Sequence, residues 1–181
     1  MRSVSLTVGA VPILLGPTWA YPKGNQADRY KIPIYRLRMN GSDANGIGVF
    51  QEFPVFRFGV YCPDGKRLSV VGLANHQTHT IKRWISTYIV HSATSKENGA
   101  WQVYGDFLIH DGPDNASEIF ATIGCVEIIG PQGFTKFNDL LIAMMDPPGA
   151  DRDAQLTAIG RSGLLHITYE KAERPPLKKW P

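Results

Sequence analysis

Apolar and polar residues alternate along much of this chain with a period of two, the pattern of strands that bury one face. Val4, Leu6 and Val8 open it, and residues 30–38 repeat it as Tyr-Lys-Ile-Pro-Ile-Tyr-Arg-Leu-Arg. The pattern breaks at Asn40-Gly41 and stays turn-rich through Gly48, which is hairpin chemistry because Asn-Gly accepts the positive φ of a tight turn. Residues 49–53 and 55–61 supply further strands, the Pro63-Asp64-Gly65 turn closes them, and residues 67–73 return as the next. Residues 80–90, with Ile81, Trp84, Ile85, Tyr88 and Ile89, form another apolar and β-branched run, followed by a polar loop through Gly99. Residues 101–109 lead as a strand into His110, and residues 126–129 leave Cys125 in the same way.

The period then changes. Phe134, Phe137, Leu140, Leu141 and Met144 fall on one face at helical spacing, and Asp146-Pro-Pro-Gly149 stops the helix. Its apolar stripe is the kind that packs on a core. Residues 151–159 suggest a second short helix, residues 164–169 a last strand, and residues 174–181 a loose tail. No internal repeat interrupts the order. The elements predict a mainly β (α+β) protein with one or two short helices after the cysteine turn.

Composition narrows the class. At 181 residues the chain supports one domain with a sizeable core. A content of 43% hydrophobic and 19% charged residues, with 18 Gly and 13 Pro, suits a loop-rich globular protein. The net charge of +3 is dispersed apart from Lys178-Lys179, so no phosphate-binding stripe is visible and nucleic acid is not an expected partner. No run of apolar residues is long enough for a membrane span. Residues 1–29 read either as an opening strand or as a signal-like segment, with Arg2, a mildly apolar run and small residues at Thr18 and Ala20. Residues 30–173 form the single expected catalytic domain.

Candidate chemistry concentrates between residues 110 and 127. His110 ends one apolar run and Cys125 begins another, and the loop between them carries Gly112, Pro113, Asp114, Asn115 and Ser117. Such a loop can return a thiol to an imidazole, as nucleophilic catalysis requires. A cysteine at its ordinary pKa is mostly protonated and needs a neighbouring base. Gly124 permits a tight turn in which the amides of residues 124 and 125 point at a developing oxyanion. The imidazole needs an orienting partner, either a carboxylate such as Asp111, Asp114 or Glu118, or a main-chain carbonyl. Cys62, in a turn sequence at a strand end, is the less reactive thiol. His91 borders the polar loop as a residue for the mouth of the site. His76 and His79 have spacing for one helical turn but lack a second ligand pair, so no metal and no cofactor is expected.

The stretch Ile109-His110-Asp111-Gly112, with Thr122-Ile123-Gly124-Cys125-Val126 fifteen positions after the histidine, resembles the active-site signature of L,D-transpeptidase catalytic domains. The likeness covers about a quarter of the chain, and the order of histidine before cysteine argues against a papain-like arrangement. It implies a β-sandwich-like domain acting on peptidoglycan stem peptides in the periplasm or outside the cell. Cys125 would be the nucleophile and His110 the base, while the Gly124 and Cys125 amides would hold the oxyanion. Thr122, Asp111, Gly112, Glu127 and His91 would shape the site or bind substrate. Two positions differ from the family: Ile123 stands where a polar residue is usual, and Glu127 where arginine is usual. Reversing that charge raises the thiol's pKa or greets an amine on the substrate. Compact divergent domains of this kind occur among secreted antibacterial effectors, which implies an immunity or inhibitor protein as a further partner. Another cysteine peptidase or amidase, and a non-catalytic wall-binding or partner-binding module, are the alternatives.

Overall fold

The computed structural model describes residues 1–90, 92–95 and 97–181. Its first strands are β1 (Val4–Val8), β2 (Leu14–Pro22), β3 (Tyr30–Ser42), β4 (Gly48–Phe56), β5 (Gly59–Cys62), β6 (Ser69–Val71), β7 (Gln77–Thr80) and β8 (Arg83–Ile85). There follow β9 (Ala100–Tyr104), β10 (Phe107–Asp111), β11 (Phe120–Ala121), β12 (Val126–Ile128), α1 (Gly133–Met145), α2 (Arg152–Ser162) and β13 (Leu165–Tyr169). The protein is mainly β in an α+β arrangement, a large mixed sheet with two helices, as the alternating pattern predicts.

β3 is the spine of the sheet. One edge pairs antiparallel with β4 from Ile34 to Ser42, while the other takes β2 along its first half and β1 along its second. β1 also pairs in parallel with β13, so Val4, Leu6 and Val8 are interior residues of a central strand. The sheet runs on from β4 through β12, β10 and β9 to β8. α1 packs Phe134, Phe137, Leu141 and Met144 inward, with the Phe53 and Phe137 rings edge-on at 5.5 Å. Each such side chain contributes about 1.5–3 kcal/mol by leaving water. Leu140, expected on that face, is only half-buried at its border. Asp151 caps α2 by accepting the Ala154 N–H at 2.8 Å, and Gly163 ends it at φ 72°.

Four local expectations are corrected. Asn40 and Gly41 are not a turn but strand residues opposite Phe50 and Val49. The hairpin closes at Asp43, whose carboxylate accepts the N–H groups of Asn45 and Ile47. A Cβ at residue 41 would stand 3.0 Å from Met144 Sδ, so the methionine side chain would have to shift to admit one. The strand break expected at Pro54 falls at Arg57 and Phe58 instead, because Arg57 turns inward to bond distant carbonyls. The run 80–90 yields only Thr80, the last residue of β7, and the three residues of β8. The tail is not loose: its backbone bonds Lys31 and Arg29, and Arg174 donates to the carbonyls of Val70 and Gly72.

The alternation of β8, β9, β10 and β12 positions the candidate chemistry. Trp84, Trp101, Ile109 and Val126 project to one side and join the core. Their chain neighbours necessarily project to the other. One row across the strands therefore reads Arg83, Gln102 and Leu108, with Cys125 just before β12 at its end, and the next reads Ile85, Ala100, His110 and Glu127.

Candidate active site

Cys125 and His110 lie on the same face of neighbouring parallel strands as diagonal neighbours. His110 is directly opposite Glu127, while Cys125, one residue before β12, packs with Leu108, Ala100, Ile85 and Tyr88. All three chemical residues line one cavity of about 410 Å³, whose walls include Tyr21, Tyr88 and Ile123. That volume is in the range of small-molecule and peptide-residue sites. The thiol is buried at 4% exposure, as is the imidazole, but the cavity reaches both.

The imidazole is held by the main chain. His110 Nδ1 is 2.7 Å from the carbonyl oxygen of Asp111, and since a carbonyl only accepts, Nδ1 carries the proton. The lone pair is thereby fixed on Nε2, which faces Glu127 Oε1 at 3.9 Å. The Tyr88 ring leans over the imidazole with centroids 5.2 Å apart. Burial lowers the His110 pKa to about 4, with the Asp111 carbonyl partly opposing, so the ring is neutral at pH 7.

Glu127 is neutral there too. Burial pushes its carboxyl up to about 8, and the Thr122 hydroxyl nearby eases it back only in part. Neither Glu127 Oε2 nor Thr122 Oγ1 closes a hydrogen bond among the described residues. Burial likewise raises the Cys125 thiol to about 12, with the carboxylates of Glu127 and Asp106 adding to the effect. Its hydrogen bond runs to the Asp106 carbonyl at 3.9 Å rather than to His110. The site therefore holds a protonated thiol beside a neutral base, not a resting thiolate.

The remaining predicted site residues separate into two groups. Gly124 and Thr122 build the turn that presents the cysteine. Gly124 has φ 95°, and a Cβ there would approach the Gly72 Cα to 2.8 Å, so only glycine fits. Thr122 donates its N–H to Thr18 Oγ1 and accepts the Val60 N–H. Asp111 and Gly112 are not among the described residues that line the cysteine cavity. Alternation points Asp111 away from His110, where its carboxylate accepts the Ser92 N–H at 2.7 Å. Gly112 is packed against the β12 backbone, where a Cβ would stand 2.7 Å from the Ile128 carbonyl oxygen. His91 lies outside the described residues. His79 is a strand residue in β7, bonded to Gln77 Oε1 at 2.9 Å, not part of a helical turn.

Tyr21, Tyr88, Gln102 and Asp106 also line the site without having been singled out. Gln102 carried a signal in the strand pattern, lying two positions from Ala100 in β9, whereas Tyr88 follows the turn after β8 and carried none. Comparison of the chain with protein-family models, curated proteins and solved structures gives no match.

Proposed function

We propose that this protein is a cysteine acyltransferase or hydrolase acting on peptidoglycan stem peptides, in the manner of L,D-transpeptidases and L,D-carboxypeptidases. The observation that carries the reading is the convergence of Cys125, His110 and Glu127 on one cavity, from one face of adjacent strands. The order and spacing of the histidine and cysteine stretches support the substrate class.

Cys125 Sγ attacks the carbonyl carbon of the diamino-acid residue while its proton passes to His110 Nε2, the nitrogen left free by the Asp111 carbonyl. The thiol's high pKa makes deprotonation and attack concerted, with the thiol turning from the Asp106 carbonyl toward the ring. A thioester forms, the C–N bond breaks, and the imidazolium returns the proton to the departing D-alanine amine. An amine or water then releases the acyl group. Such a substrate places the action in the periplasm or outside the cell, where an antibacterial effector would meet an immunity or inhibitor protein as its partner.

Incubation with a stem tetrapeptide, read by mass spectrometry, tests this. Loss of the terminal D-alanine, or an acyl adduct on Cys125, is expected in the wild type and absent from Cys125→Ala. A second reading, a silent binding module, is favoured by the thiol's raised pKa and its bond to Asp106. Iodoacetamide labelling separates it from an enzyme: Cys125 reacting as slowly as Cys62 at every pH supports the silent module, and Cys125 reacting well below the pH at which Cys62 does overturns it.

A further inference from the structure

A second basin lies across the β9–β10 hairpin from the cysteine. It encloses about 430 Å³, and Gln102 and Gly105 line both it and the cysteine cavity, so the two adjoin. Arg83, Gln102 and Leu108 stand in one row on consecutive strands, and Cys125, just before β12, packs against Leu108 at the end of that row. Three strand spacings of about 4.8 Å put roughly 14 Å between the backbones of Arg83 and Cys125, the length of about four extended residues. The two basins thus meet along the Gln102–Gly105 end of β9.

Their charges are opposite. The cysteine cavity is lined by the Asp106 carboxylate, with Glu127 protonated beside it and no lysine or arginine among its described lining residues. The second basin is lined by Lys82 and Arg83, both exposed, with no carboxyl group among its described lining residues. Neither cation forms an ion pair among the described residues. The Tyr104 and His79 rings stack at 4.9 Å to form a flat wall beside them, and Thr78 and Thr80 add hydroxyls.

We propose that this basin is a second subsite for the same substrate, one that holds a carboxylate on the acyl-donor chain upstream of the bond Cys125 attacks. The inference rests on the acyl-transfer reading and gives it a direction. A substrate with an amine near the reacting carbonyl and a carboxylate farther along matches the acidic and basic basins in turn. The carboxylate of the departing residue is a poor fit, since it lies one residue, about 3.5 Å, from the scissile carbon. The α-carboxylate of the γ-linked D-glutamate is upstream and at longer reach. Lys82 and Arg83 pair with it while the ring wall packs on the chain's apolar flank.

Calorimetric titration of Cys125→Ala protein with two muramoyl tetrapeptides tests this, one carrying D-glutamate and one its α-amide, D-isoglutamine. The free acid is expected to bind about fivefold tighter at low salt, with the preference shrinking as salt is added. Lys82→Gln with Arg83→Gln weakens the acid to the level of the amide and leaves the amide unchanged. In otherwise wild-type protein the same pair raises KM for the acid without lowering kcat. Equal binding of acid and amide, equal weakening of both by the double variant, or binding of neither overturns the subsite. Turnover without acid preference sinks the subsite alone, whereas acid preference without turnover sinks the acyl-transfer reading alone.

Discussion

Two of the places where this molecule takes ionisable side chains out of water treat them in opposite ways. Arg57, fully buried, spends its guanidinium on main-chain oxygens: Nε and Nη2 donate to Leu73, Nη1 to Gly9 and Nη2 also to Glu170. The rings of Tyr35, Phe58 and Tyr169 surround it at 5.4–5.7 Å. His110 and Glu127 are buried as deeply, yet Nε2 and Oε1 stand 3.9 Å apart, Oε2 has no partner among the described residues, and a cavity opens beside them. A buried polar group whose bonding is complete ties chain segments together. One whose bonding is incomplete beside a cavity is set to exchange a proton or bind a group that enters. The first site is a fastener, and the second is the one we propose as a reaction chamber.

The largest effects should separate those roles. Arg57→Met strands three carbonyls that lie far apart in the chain, and should cost about 3–5 kcal/mol in urea unfolding. Cys125→Ala removes a small buried group, so it should abolish turnover while costing only about 1 kcal/mol of stability. His110→Ala should slow acyl transfer about 10²–10⁴-fold in a tetrapeptide assay, again with a minor change in unfolding. The contrast between the regions breaks if Arg57→Met unfolds like the wild type, or if Cys125→Ala retains activity.

The two regions were not equally legible in the sequence. His110 and Cys125 could be picked out because each borders an apolar run, and alternation alone required Asp111 to turn from whatever His110 faces. Glu127 showed only as an unexpected charge two residues after the cysteine. Its place opposite His110 depends on the β10–β12 register, which no local pattern specifies. Arg57 was hidden altogether: inside Val55-Phe-Arg-Phe-Gly59 it reads as the polar member of an alternating strand. Its partners Gly9, Leu73 and Glu170 come from three distant segments. The hairpin turn was missed by a few residues because Asn40-Gly41 carries turn chemistry, while the close approach of Met144 to Gly41 is a tertiary fact. Local patterns locate strands and reactive residue types, whereas the pairing of buried charges is set by contacts between segments.

The smallest effect is the sharpest test of the reaction chamber. His110 has its pKa lowered from 6.5 to about 4 by burial, so the unfolded chain binds more protons across that window and stability rises with pH through it. Glu127 has its pKa raised from 4.5 to about 8, so the folded protein holds the extra proton and stability falls as pH rises from 4.5 to 8. Between 4.5 and 6.5 the two contributions oppose each other, but above 6.5 only Glu127 remains of the pair. Wild-type protein should therefore lose stability from pH 6.5 to 8, by up to about 2 kcal/mol at the limiting slope of one proton. Glu127→Gln keeps the shape and removes the titration, so its urea midpoint should stay flat over that interval while the Arg57 region is unaltered. A wild-type profile equally flat would mean that Glu127 is already ionised beside a neutral His110, because a charged His110 would itself make stability fall above pH 6.5. The Glu127 carboxylate would then be as fully satisfied as the Arg57 guanidinium, and the distinction between the two regions would be lost.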